Sequence, residues 1–166
     1  ATYSAAALEI GLKPTDTRVD APVRLGPWSP QNYGGGYVGP VTLADALARS
    51  INTVAVRVAQ EVGSHKIGDL AARFGLTDIP SDPDLSVALG AYEVNLLELT
   101  SGFQVFQQGG ARTPSYLIDE IDTADGELLY RHASSAPIQV YDQALDETMI
   151  KMMKGVIEHG TGVHAG

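Results

Sequence analysis

The stretch from Gly39 to Gly63, GPVTLADALARSINTVAVRVAQEVG, constrains this chain more than any other, because it reads as two helices hinged at Ser50-Ile51-Asn52. Thr42 is placed to N-cap the first helix, with Asp45 three residues on as a weaker relative of the capping-box Glu. Apolar residues recur at Leu43, Ala46, Leu47 and Ile51, and again at Val54, Val58 and Val62. Asn52 or Thr53 is available to cap the second helix, and Gly63 to stop it. One unbroken helix is the alternative. At ~3.6 residues per turn it would set Ser50 and Asn52 roughly 200° apart, on opposite faces. A break lets both side chains face one cleft, and two capping-type residues at the centre of the run favour the break.

The other elements follow from the same signals. Ala1 to Ile10 reads as a helix already under way where the sequence starts, closed by Gly11 and Pro14. Thr15 to Pro40 reads as a long irregular segment, rich in Gly, Pro and Asp. It holds the single tryptophan in the cluster Trp28-Ser29-Pro30-Gln31-Asn32-Tyr33. A structureless loop of that length is more often functional than filler, the alternative being a surface loop pinned by Trp28 and Tyr33 on the core. Ser64 is the expected cap of a helix with Ile67, Leu70, Ala71 and Phe74 on its apolar face, ending at Gly75. A Pro and Asp loop follows over Thr77 to Asp84. Asn95 with Glu98 has capping-box spacing for a helix carrying Leu96, Leu97, Leu99, Phe103 and Phe106, a face expected to be ordinary core. Tyr116 to Ile121 and Glu127 to Tyr130 flank an Asp125-Gly126 turn and predict a hairpin. A last helix, Gln143 to Glu158, lines up Leu145, Met149, Met152, Met153 and Val156 as a core stripe.

Composition removes several function classes. With a net charge of −9 and 11 Lys and Arg among 166 residues, a nucleic-acid partner is not expected, since phosphate-backbone binding concentrates basic charge on one face. The absence of cysteine leaves neither disulfides nor thiolate zinc sites. His65, His132, His159 and His164 form no i, i+4 ligand pair, so no metal is expected. Gly160-Thr161-Gly162-Val163-His164-Ala165 matches GxGxxA, but it follows a helix where a dinucleotide fingerprint must follow a strand. No cofactor is expected. No run of ~18 apolar residues or basic-then-apolar leader occurs, so an anchor or signal is expected to lie outside this sequence.

Two strings carry a family resemblance: Trp28-x-Pro30-x-Asn32-Tyr33, and Gly39-Pro40-Val41-Thr42-Leu43-x-x-Ala46-Leu47-Ala48-x-Ser50-x-Asn52-Thr53-x-Ala55-Val56. Joined by Ala6-Ala7-Leu8-Glu9-x-Gly11, Ala88-Leu89-Gly90-x-x-Glu93-Val94 and Gly160-Thr161-Gly162, they resemble the transpeptidase domain of bifunctional class A penicillin-binding proteins. Active sites of that family combine Ser-x-x-Lys, Ser-x-Asn and Lys-Thr-Gly. The resemblance implies that Ser50 passes a proton between the lysine and the leaving nitrogen. It implies that Asn52 orients the substrate backbone and supports that lysine, so Ser50 and Asn52 are the catalytic candidates and Asn52 the substrate-binding one. Such groups suit the chemistry, because a serine hydroxyl is a poor nucleophile until a neighbour takes its proton, and acyl transfer gains from donors set in place beforehand.

Neither Ser-x-x-Lys nor Lys-Thr-Gly occurs here. Residues 1–166 therefore resemble a partial domain, the segment between those two motifs, with the nucleophile, the base and the carboxylate-binding strand outside it. The expected fold is α+β and mostly helical, the helical subdomain plus a short β-hairpin of a β-lactamase/transpeptidase-like domain. The implied partners are peptidoglycan stem peptides and β-lactams for the complete domain, in a membrane-anchored parent at the periplasmic, extracytoplasmic face of a bacterial inner membrane. Two alternatives remain. A serine β-lactamase segment would carry Glu-x-x-Leu-Asn, which Glu93-x-x-Leu96-Leu97 misses by one residue; a non-catalytic binding or scaffold module is the other. The segment by itself is expected to be inactive, and to self-associate through apolar stripes such as Ala5 to Ile10 and Met149 to Val156.

Overall fold

The computed structural model describes residues 1–165. Its centre is α1 (Thr2–Glu9), in which Ser4 through Leu8 are all buried. A helix can be enclosed on every side only where its residues are small or apolar, and Ser4-Ala5-Ala6-Ala7-Leu8 is both. Around it pack α3 (Asn52–Val62), α4 (Ser64–Arg73) and α6 (Gln143–Glu158). α2 (Leu43–Ala48) and α5 (Leu96–Gln107) complete the helical set, with 3-10 turns at Leu85–Leu89 and Val163–Ala165.

Aromatic rings fasten α4, α5 and the start of α6 together. Phe74 meets Phe106 edge-on at 5.2 Å and Tyr141 at 5.6 Å, and the Tyr141 hydroxyl donates to the Ala5 carbonyl at 2.9 Å. Each such ring pair contributes about 0.5–1.5 kcal/mol beyond the area it buries. Arg73 adds a surface clamp, bridging Glu9, Asp69 and the Val140 carbonyl.

Among the described residues, three antiparallel two-stranded pairs accompany the helices, where the sequence predicted a single hairpin. β1 (Thr17–Asp20) pairs with β2 (Gly39–Thr42) in the register Thr17 to Thr42 and Asp20 to Gly39. β3 (Ala111–Arg112) pairs with β6 (Ile138–Gln139). β4 (Glu120–Asp122) and β5 (Leu128–Arg131) form the expected hairpin about Asp125-Gly126. The segment Thr15 to Pro40 is thus not structureless: β1 and β2 close it, and its backbone polar groups are satisfied by strand pairing at both ends.

Several local expectations change. Helix α3 is entered from Ile51 without a side-chain cap, because the Asn52 amide and the Thr53 hydroxyl are engaged elsewhere. Gly63, not Ser64, precedes α4, and the Ser64 hydroxyl donates to Asp82. Asn95 caps α5 through the Glu98 N–H, but the Glu98 carboxylate turns to Thr77 and leaves the capping box half made. The outer face of α5 is not core: Gly102, Val105 and Phe106 are buried, whereas Leu96, Leu97, Leu99 and Phe103 are 40–78% exposed. Among the described residues, no helix is long and apolar enough to cross a membrane.

Candidate active-site segment

The hinge between α2 and α3 is a helix-ending motif with an unusual occupant. The Ile51 N–H reaches back to the Ala46 carbonyl and the Ser50 N–H to the Leu47 carbonyl, the paired bonds that close a helix in a Schellman turn. That turn needs a left-handed residue, normally glycine. Here it is Ser50, at φ +54°, the sole non-glycine residue with positive φ among the described residues. A left-handed L-residue costs ~1–2 kcal/mol, and such strain persists only where the surroundings hold it.

The reversal brings Ser50 and Asn52 to the wall of one cavity of about 530 Å³, within the range of small-ligand sites, ~300–1,000 Å³. The break between helices therefore stands as the sequence predicted. Opposite lie Asn32 to Val38 of the β1–β2 connection, and Thr161 closes one end. Ser50 is exposed, and among the described residues nothing hydrogen-bonds its hydroxyl, which leaves it available to a ligand. Asn52 is half-buried and donates from Nδ2 to the Gln31 carbonyl at 2.8 Å. Because a carbonyl only accepts, the amide nitrogen must face Gln31.

The loop is not pinned by Trp28 and Tyr33 together, since Tyr33 is fully exposed. It is pinned by Asp20. This carboxylate, 2% exposed, accepts from the Thr53 hydroxyl at 2.5 Å, from Asn32 Nδ2 at 2.7 Å and from the Val38 N–H at 2.8 Å. Asn32 in turn accepts from the Thr53 N–H at 3.2 Å. Burial pushes the Asp20 carboxyl up, but these donors, with Arg49 nearby, outweigh it and hold the group below the ordinary carboxylate value. Among the described residues lining the cavity, Arg49 is the one cation, and none of the chain's four lysines is there.

Gly160-Thr161-Gly162 supports the floor. The Thr161 N–H donates to the Ala48 carbonyl at 3.0 Å, and a Cβ on Gly160 would fall 2.1 Å from that same oxygen. Only glycine permits the approach. The stretch follows α6 and runs into a 3-10 turn, which is not the strand-to-helix setting of a dinucleotide site. Among the described residues, no cluster of three or more His, Asp or Glu is placed to hold a metal.

Sequence reasoning singled out Ser50 and Asn52, and quoted Asn32, Thr53 and Thr161 as parts of family strings. It missed Asp20. No local spacing marks that residue, whose partners lie 12 to 33 positions away.

The fold thus sets α2 and α3, hinged at Ser50-Ile51-Asn52, against a loop and a Gly-Thr-Gly stretch around one cavity. The chain belongs to the penicillin binding protein transpeptidase domain family, whose profile matches residues 1–166. Penicillin-binding protein 1A of Rickettsia bellii is 35% identical over 155 residues, 89% of this chain and 20% of that protein. The chain thus spans about a fifth of the length of the curated relatives it matches. Among solved structures, penicillin-binding protein 1A from Haemophilus influenzae superposes with a TM-score of 0.88 at 23% identity, covering 98% of this chain and 30% of that one. PonA1 from Mycobacterium tuberculosis, solved in complex with penicillin V, gives 0.84 at 21% identity over 94% of this chain and 45% of its own.

Proposed function

We propose that residues 1–166 are the internal segment of a class A peptidoglycan D,D-transpeptidase. Within it, Ser50 and Asn52 serve acyl transfer from the D-Ala-D-Ala end of a stem peptide. The observation that carries this reading is the left-handed Ser50, which ends α2 and sets its hydroxyl beside the Asn52 amide on one cavity wall. In this reading the nucleophile and its lysine precede residue 1 and the Lys-Thr-Gly strand follows residue 166. Ser50 passes a proton between that lysine and the leaving nitrogen. Asn52, its nitrogen turned to Gln31, presents its oxygen to the cavity as an acceptor for an ammonium or a substrate N–H.

The complete enzyme takes stem peptides as substrates and β-lactams as acylating inhibitors, and works outside the cytoplasm from a membrane-anchored parent. The β-lactamase alternative loses ground, because Glu93 lies outside the residues that line the Ser50 cavity. The isolated segment, with Leu96, Leu97, Leu99 and Phe103 uncovered, associates with itself.

A fluorescent penicillin followed by denaturing electrophoresis tests the proposal. In the full-length protein that carries this segment, Ser50→Ala is expected to slow acylation on the order of 100-fold with unchanged thermal unfolding, the scale of a lost proton-transfer group. The 166-residue chain alone is expected to remain unlabelled, since an acyl-enzyme needs a nucleophile within reach of its base. Full labelling of the isolated chain, or an unimpaired Ser50→Ala enzyme, would refute it.

A further inference from the structure

We infer that Asp20 is a positioning residue for Asn52, acting through the loop it clamps; the inference rests on the transpeptidase reading above. The carboxylate gathers three parts of the chain: Asn32 and Val38 from the two arms of the loop, and Thr53 from the first turn of α3. Asn32 spans the junction, donating to Asp20 and accepting from the Thr53 N–H. The residue before it, Gln31, is thereby held with its carbonyl on Asn52 Nδ2. Asn52 can flip only by losing that bond and setting two oxygens against each other. The orientation of its amide, and so which of its atoms meets the cavity, is fixed by Gln31, which is fixed by Asn32, which is fixed by Asp20.

Asp20 borders the cavity, but it is buried and both of its oxygens are engaged within the chain, Oδ1 by Thr53 and Asn32 and Oδ2 by Val38, so its role is to position its neighbours. Asp20→Asn keeps the shape but replaces one acceptor oxygen with an NH2 group, which in either orientation faces a donor, whether Val38 N–H or Asn32 Nδ2. Asn32 is then freed from one side, and the Asn52 amide loses its preferred orientation while its side chain remains.

The test is a double-mutant cycle in the full-length protein that carries this segment. Acylation by a fluorescent penicillin is timed in the wild type, Asp20→Asn, Asn52→Ala and the double variant, and thermal unfolding is recorded for each. Asp20→Asn is expected to slow acylation on the order of 10-fold in the wild-type background, and less than about 2-fold on top of Asn52→Ala, where no amide is left to orient. Equal losses in both backgrounds would make Asp20 a purely structural residue and overturn the inference, as would no loss in the wild-type background. If Asp20→Asn does not fold, Thr53→Val decides instead. It removes a single donor to the carboxylate and is expected to slow acylation about 3-fold, again only while Asn52 is present; a loss independent of Asn52, or none, overturns the inference. A labelled wild type with background-independent losses rejects the clamp alone, whereas an unlabelled wild type rejects the transpeptidase reading and the clamp with it.

Discussion

Ser50 occupies a position where glycine would be more comfortable. The two backward bonds to Leu47 and Ala46 end α2 whatever side chain sits there, so the hydroxyl is not required by the turn. Ser50→Gly is therefore expected to stabilise the chain by about 0.5–1 kcal/mol, the left-handed penalty removed less the extra unfolded-state freedom of glycine. In the full-length protein it is expected to slow acylation as much as Ser50→Ala does. Chemical unfolding of the isolated chain and penicillin labelling of the full-length one check the two halves. A stability gain joined to a loss of rate is the signature of strain kept for function. This hinge was legible in the sequence because everything that makes it is local: its bonds span three to five residues, and Ser50 and Asn52 are capping-type residues in the middle of an apolar run. The Asp20 clamp was not legible, because residues 20, 32, 38 and 53 become neighbours only after β1 pairs with β2.

At the scale of elements, periodicity told which side of each helix is apolar but not what covers it. The stripes expected to be bare are covered: Ala5 to Leu8 and Met149 lie in a shared core, because α1 sits among α3, α4 and α6. The uncovered face belongs to α5, where Leu96, Leu99 and Phe103 recur at i, i+3 and i+7, and where Leu99 and Phe103 border an apolar depression reaching Phe74 and Leu76. Leu117, Ile118, Ile121, Leu128 and Leu129 of the hairpin region are exposed as well. Contiguous apolar surface on a monomer rarely exceeds a few hundred Å² without an occupant. Sedimentation of the isolated chain at high micromolar concentration is expected to show association, and Leu99→Glu with Phe103→Glu to reduce it. A monomeric wild type would disprove the role given to this face.

The molecule as a whole holds opposing titrations. Asp20 has its carboxyl held below the ordinary value and stabilises the fold above that value, a contribution lost as pH falls through its folded pKa. Asp146 behaves in the opposite sense. It is 1% exposed, neither of its oxygens has a hydrogen-bond partner among the described residues, and burial, with Glu147 beside it, pushes its carboxyl up. Above the ordinary 3.8 the unfolded chain has released this proton while the folded chain keeps it. The folded state then binds more protons, so this group lowers stability as pH rises until the folded carboxyl has ionised too. Asp146→Asn removes that penalty. Thermal unfolding of both chains is expected to show the variant more stable than the wild type at pH 7, because an amide has no buried charge to form, and the difference clearly smaller at pH 4. An equal difference at both pH values would show that the carboxyl does not titrate as described.

One arrangement bears on how such a protein diverges. The loop tip Tyr33-Gly34-Gly35-Gly36-Tyr37 is tethered on one side at Asn32 and on the other at Val38, both on the same carboxylate. Once the ends are tied, the entropy of the chain between them grows only with the logarithm of its length, about 0.6 kcal/mol per doubling. Lineages can therefore insert or delete residues at this tip with little change in stability, and reshape the rim of the cavity without disturbing the hinge beneath. The rim is free to vary, while the serine and asparagine it overlooks stay in place.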